Sequence, residues 1–210
     1  MDPIRAPWAP PTPYAPYGDD ASDAIYDLLF ADDGTRFEAT GIAFGPDAGR
    51  EALHRLAFDE AAESRIRALA FRSLRATGWL ATASEPLPLL GVIVEVGLPE
   101  GLDVLAAYAD GRARYINHGG GMSVVEGPGL ADAEIRAVIE AARPVALAIG
   151  PWTAARRPPP GDGFVRLSFL VGDELRFGEG PFDVLVRDRT AGPVVGAATA
   201  LLARLAALSA

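Results

Sequence analysis

Leu89–Glu126 reads LLGVIVEVGLPEGLDVLAAYADGRARYINHGGGMSVVE. Apolar runs of strand length are interrupted at Pro99-Glu100-Gly101, at Asp110-Gly111 and at Gly119-Gly120-Gly121, so the stretch predicts four strands in succession. Asp-Gly between two such runs is a hairpin signal, because glycine takes positive φ at no steric cost and a type I′ turn matches the twist of the strands it joins. The expected arrangement is an antiparallel meander. In the first two strands both faces are largely apolar apart from Glu95 and Asp103, which predicts central strands covered on at least part of both faces. The third is the most polar: Arg112, Arg114, Ile116 and His118 alternate with Ala113, Tyr115 and Asn117.

Working outward, residues 1–18 carry six prolines with Trp8, Tyr14 and Tyr17 among them. Proline fixes φ and removes a donor, so this is an extended arm. Such an arm packs across its own domain or offers its aromatic residues to a partner's groove. A helix capped by Asp20 or Ser22 is expected through about Ala31. Asp32-Asp33-Gly34 then makes a turn; it lacks the further oxygen ligands and terminal glutamate of a calcium loop. Helices follow near Ala48–Phe58 and Ala61–Thr77, the second with Ile66, Leu69, Ala70 and Leu74 as its apolar stripe.

Beyond the meander, a helix from Ala131 to about Ala148, capped by Asp132, should kink or break at Pro144. Trp152–Gly163 is too rich in proline and glycine for regular structure. Phe164–Val171 and Leu175–Phe177 form a second hairpin, with Val165, Leu167, Phe169 and Val171 inward and Arg166 and Ser168 outward. Gly178–Phe182 is a sharp exit, and Val194–Leu208 a terminal helix opened by Gly192-Pro193.

The predicted fold is therefore α+β: an antiparallel sheet, made of the four-stranded meander plus a hairpin, packed with helices. A Pro-rich arm over 1–18 precedes a single α+β domain over 19–210, of which 19–78 is the helical, acidic part and 89–210 holds the sheet. The order of elements over about the last 120 residues is similar to that of type III secretion chaperones and of roadblock and longin-like domains, a resemblance in element order rather than in any motif.

Composition narrows the chemistry. The chain has 210 residues, no cysteine and no lysine, so all 19 basic side chains are arginine, and Asn117 is its sole asparagine. Mutational pressure in a GC-rich genome accounts for that depletion, but its consequences hold regardless. Schiff-base chemistry and a Walker-type phosphate loop need lysine. Thiolate nucleophiles, zinc ribbons, iron–sulfur clusters and disulfides need cysteine. With two histidines, His54 and His118, one chain cannot supply a three-histidine metal site. No cofactor or metal is expected.

The net charge of −9 lies entirely between Asp19 and Glu63, where twelve acidic residues face three arginines. Such a surface repels nucleic acid, and no basic stripe with interleaved aromatics occurs elsewhere. No apolar run reaches the roughly 20 residues of a membrane span, and the N-terminus does not read as a secretory signal, so a soluble, cytoplasmic protein is expected.

The candidate ligand site is Tyr115, Asn117, His118, Gly119 and Gly120, where successive glycine amides can approach an anion. The ordinary alternative is a turn or bulge that closes the meander. Arg156 and Arg157 could clamp a carboxylate or phosphate, though pairing with the acidic segment or simple exposure to water is favoured. Neither Ser123 nor Ser168 sits in a nucleophile elbow. Glu95, Glu126 and Glu179 could form a carboxylate pair, but their separation is not readable. No catalytic constellation is complete. The expected function is a non-enzymatic protein-interaction domain, of adaptor, chaperone-like or immunity type, with Trp8, Tyr14, Tyr17, Asp32 and Asp33 as candidate partner contacts. The alternative is a small-molecule or anion-binding protein, or a hydrolase, using the strand end at Tyr115, Asn117 and His118.

Overall fold

The computed structural model describes residues 14–40, 44 and 48–208. Trp8, with residues 1–13 of the arm, lies outside the described residues, as does Gly45-Pro46-Asp47. Helices α1 (Asp20–Leu28), α2 (Arg50–Phe58) and α3 (Ser64–Ala76), with a 3₁₀ turn at Gly34–Thr40 between the first two, lead into the meander β1 (Leu89–Leu98), β2 (Gly101–Tyr108), β3 (Ala113–Ile116) and β4 (Met122–Val125). Then come α4 (Asp132–Ala148), β5 (Phe164–Val171), β6 (Glu174–Pro181), α5 (Phe182–Arg187) and α6 (Ala191–Leu208).

The expected α+β architecture is what the chain adopts. All strand pairs are antiparallel, in the order β4-β3-β2-β1-β5-β6, so the second hairpin joins the free side of β1 and extends the meander into one sheet. That places β1 and β2 centrally and explains their apolar character on both faces. On one face Leu90, Ile93, Val104, Ala106, Ile116 and Leu170 pack with Tyr26, Leu69, Phe71 and Leu74 from α1 and α3. On the other, Val92, Val94, Leu105, Val165, Leu167 and Phe169 pack with Ile135, Val138, Val194, Leu201 and Leu205 from α4 and α6.

Several local expectations are corrected by this context. The β2–β3 connection is not a two-residue type I′ turn. Gly111 has φ +84°, but Asp110 is not in the left-handed region that type I′ demands of both central residues. The loop is instead closed by Tyr108 N donating to Arg112 O at 2.9 Å and Gly111 N to Tyr108 O at 3.1 Å, while the Asp110 carboxylate accepts from Ser64 N at the start of α3. The cap of α1 is Asp19 rather than Asp20 or Ser22; its carboxylate accepts from the amides of Ala21 and Ser22, and the helix ends at Leu28.

Helix α4 starts after Ala131, with Asp132 in its first turn accepting from Gly129 N, and it runs unbroken through Pro144 to Ala148. Pro144 and Glu140, whose carbonyl lacks a donor as a result, are both exposed, so water can take the place of the missing bond. Gly178–Gly180 is not a turn: β6 continues to Pro181 because pairing with Val165–Leu167 holds it extended. Pro181 ends an edge strand, where the absent donor costs no ladder bond. The last helix starts at Ala191, ahead of Gly192-Pro193. Finally, Arg166 and Ser168 do not face water; they are 3% and 1% exposed, because their side of β5 lies beneath the α1–α3 layer and the Trp152–Gly163 segment.

Candidate functional site

The strand end after β3 is built around two side chains. Asn117 Oδ1 accepts from Gly119 N and from Gly121 N, each at 2.9 Å, and Asn117 O accepts from Gly120 N at 2.8 Å. Every amide of the triple glycine is thereby used inside its own loop, and the donors an anion would need are already donating. Gly120 has φ +79°, and a Cβ there would lie 3.0 Å from Ser22 Oγ, so the loop needs glycine to sit against the start of α1.

The second organiser is Asp103 on β2. It accepts from Tyr115 Oη at 2.7 Å and from His118 N at 2.7 Å, with His118 Nδ1 3.2 Å away. Burial and then the Asp103 hydrogen bond hold the Tyr115 hydroxyl above its ordinary range. Tyr115, Asn117 and His118 are thus brought together, each closing the end of the hairpin.

Arg156 lies elsewhere. It is 7% exposed and donates through Nη2 to Asp27 Oδ1 at 2.6 Å and through Nε to Asp32 Oδ2 at 3.2 Å. Its guanidinium also stacks 4.1 Å from the centre of the Phe30 ring and 5.1 Å from that of Tyr14. This is the pairing with the acidic segment that the charge distribution favoured. Tyr14 Oη donates to Arg156 O at 2.6 Å, and Tyr17 N donates to Asp23, so the described end of the arm packs on its own domain. Asp33 caps the Gly34 turn through Thr35 and pairs with Arg36. Arg157 is exposed, while its carbonyl accepts from Arg166 Nη1.

Arg156 borders a buried polar cluster whose membership no local pattern announced. Glu95, fully buried on β1, accepts from Tyr26 Oη at 2.7 Å. Arg166, opposite it on β5, gives Nε and Nη2 to Glu179 of β6 and Nη2 also to Pro158 O. Its Nη1 stands 3.7 Å from Glu95 Oε2. Burial pushes the Glu95 carboxyl above the usual carboxylate range, with Arg166, Tyr26 and Arg156 opposing the shift. The Tyr26 hydroxyl is raised by burial and then by Glu95.

Of the three glutamates considered for a carboxylate pair, Glu95 and Glu179 meet on one arginine, while Glu126 sits with Arg114 at the opposite end of the meander. The signal available in advance was a glutamate inside an otherwise apolar strand and an arginine at an alternating position of another. Their register across the sheet was the missing fact.

A cleft with a volume of about 460 Å³ opens between the β2–β3 turn and α4. Ile135 and Ile139 line it together with Arg136 and Arg143 and with the acidic Glu60, Asp110, Asp132 and Glu140, so both signs of charge meet there with the acidic side chains in excess. Among the described residues no group of three or more histidine or acidic side chains converges to hold a metal ion. Comparison with known protein families, with curated proteins and with solved structures yields no match to this chain.

Proposed function

We propose that this chain is a non-catalytic module that works by contacting another protein. The observation that carries the reading is the apolar surface formed where β6 passes into α5. Phe164, Phe182, Val184 and Val186 are 42%, 45%, 55% and 44% exposed, and no residue of α5 is buried. Phe182 N donates to Gly163 O, which sets Phe182 beside the start of β5; Phe182 and Val186 are one helical turn apart. Alongside runs the outer edge of β6, the last strand of the sheet, on which Leu175 O is already taken by Trp152 N. Exposed apolar side chains grouped beside an edge strand are characteristic of contact surfaces.

Burying one such phenylalanine is worth about 1.5–3 kcal/mol, or roughly ten- to a hundredfold in affinity. The test is direct binding, by calorimetry, of a purified partner first recovered with the wild-type chain. Phe182→Ser and Val186→Ser should each weaken binding by at least about tenfold while leaving the circular dichroism spectrum unchanged. A partner bound equally well by both folded variants would remove the surface from consideration.

A further inference from the structure

The Trp152–Gly163 segment crosses the sheet as a strap, and what ties it down is polar. At its ends Trp152 N donates to Leu175 O at 2.7 Å and Gly163 N to Gly97 O at 3.0 Å. Between them, Arg166 reaches up from β5 to the carbonyls of Arg157 and Pro158, while Arg156 reaches down to Asp27 and Asp32. The strap lies so close to β1 that a Cβ at Gly97 would overlap the carbonyls of Pro160 and Gly161. Glu95, two residues back on the same face of β1, is sealed beneath it.

We propose that the strap is a releasable cover and that the proton on the buried Glu95 carboxyl is its latch. Among the described residues Arg166 makes four hydrogen bonds besides its approach to Glu95. Two go to Glu179, at 2.8 and 2.6 Å, one to Pro158 O at 2.6 Å, and one from Nη1 to Arg157 O at 3.3 Å, the longest. That same Nη1 is 3.7 Å from Glu95 Oε2, which has no hydrogen-bond partner among the described residues. While Glu95 is a neutral carboxyl, Nη1 stays with the strap. When the proton passes to a base in solvent, the carboxylate left behind draws Nη1 toward Oε2 and away from Arg157 O.

An ionised carboxylate at this depth also needs more than the Tyr26 hydroxyl and one arginine shared with Glu179, and lifting the strap admits water. Among the described residues, the groups that face Glu95 are Tyr26 from α1, Arg166 from β5, Glu179 from β6 and Arg156 from the strap, with Tyr17 from the segment before α1. The residue opposite on β2 is the apolar Val104. Glu179 adds negative charge to the ionised state, and the two arginines limit rather than abolish that penalty.

The experiment is nuclear magnetic resonance on the full chain, following the Glu95 carboxyl carbon and amide exchange protection in one sample from about pH 5 to about pH 8. As Glu95 ionises, protection at Trp152 N and Gly163 N should fall, by up to about tenfold per pH unit, while the Ile93 amide in the middle of β1 keeps its protection. In Glu95→Gln, a neutral side chain of the same shape, strap protection should be high and independent of pH. The proposal is overturned if Glu95 titrates with strap protection unchanged, or if Glu95 never ionises in that range. It is equally overturned if Ile93 loses protection in parallel, or if the fall persists in Glu95→Gln. The wild-type titration decides the matter even should the variant fail to fold.

Discussion

At the level of single residues, Glu95 shows how strongly position governs chemistry. In the unfolded chain its carboxyl has an ordinary pKa, about 4.3; in the folded protein burial raises it. The sign follows from linkage. A raised acid contributes stability that is fully present below the unfolded pKa and is lost as pH rises through the folded one. Chemical denaturation of wild type should therefore show a component of stability that declines above the ordinary carboxylate range, and Glu95→Gln should lack it. A steeper decline in the variant would contradict the assignment. Asn117 makes the opposite point, since a residue that stands out by rarity serves its own loop. Asn117→Ala removes the acceptor for two glycine amides and should cost about 1–2 kcal/mol, measured by urea unfolding.

At the level of elements, the strap and β5 depend on each other through Arg166. Replacing it with methionine keeps the length but leaves Glu179 and two strap carbonyls without their donor and Glu95 without the neighbouring positive charge. The expected cost is about 3–5 kcal/mol, the scale for breaking a buried ion pair from one side. Thermal unfolding monitored by circular dichroism gives the check, and a loss below about 1 kcal/mol would mean that the cluster relaxes with little consequence. Gly97→Ala acts on the same contact from below. Its methyl group would collide with strap backbone, so it should lower protection at Gly163 N while leaving the β1–β2 pairing intact.

At the level of the whole molecule, two apolar layers share one sheet, so neither can be removed without exposing β1 and β2. Leu201, fully buried on the α4–α6 side, and Leu74, fully buried on the α1–α3 side, report on the two layers separately. Substituting either with alanine should cost about 2–5 kcal/mol. Each variant should still unfold in a single transition, with tryptophan fluorescence and far-ultraviolet circular dichroism coinciding. Two separated transitions would show that the layers fold apart.

What the sequence determined by itself follows from short-range rules. Alternation and glycine punctuation specified the meander, doubly apolar strands specified a sheet covered on both faces, and helical periodicity specified α3 and α6. The grouping of Tyr115, Asn117 and His118 was legible too, because three neighbours on one strand end need no distant information. The tertiary structure alone decided that Arg166 is buried, that Gly178–Gly180 is strand rather than turn, that Pro144 does not break α4, and that Glu95, Tyr26, Arg156 and Glu179 meet. Each of these depends on which strand lies alongside and which segment lies above. Pairing register and burial between residues far apart in the chain are settled by packing, and no local pattern encodes them.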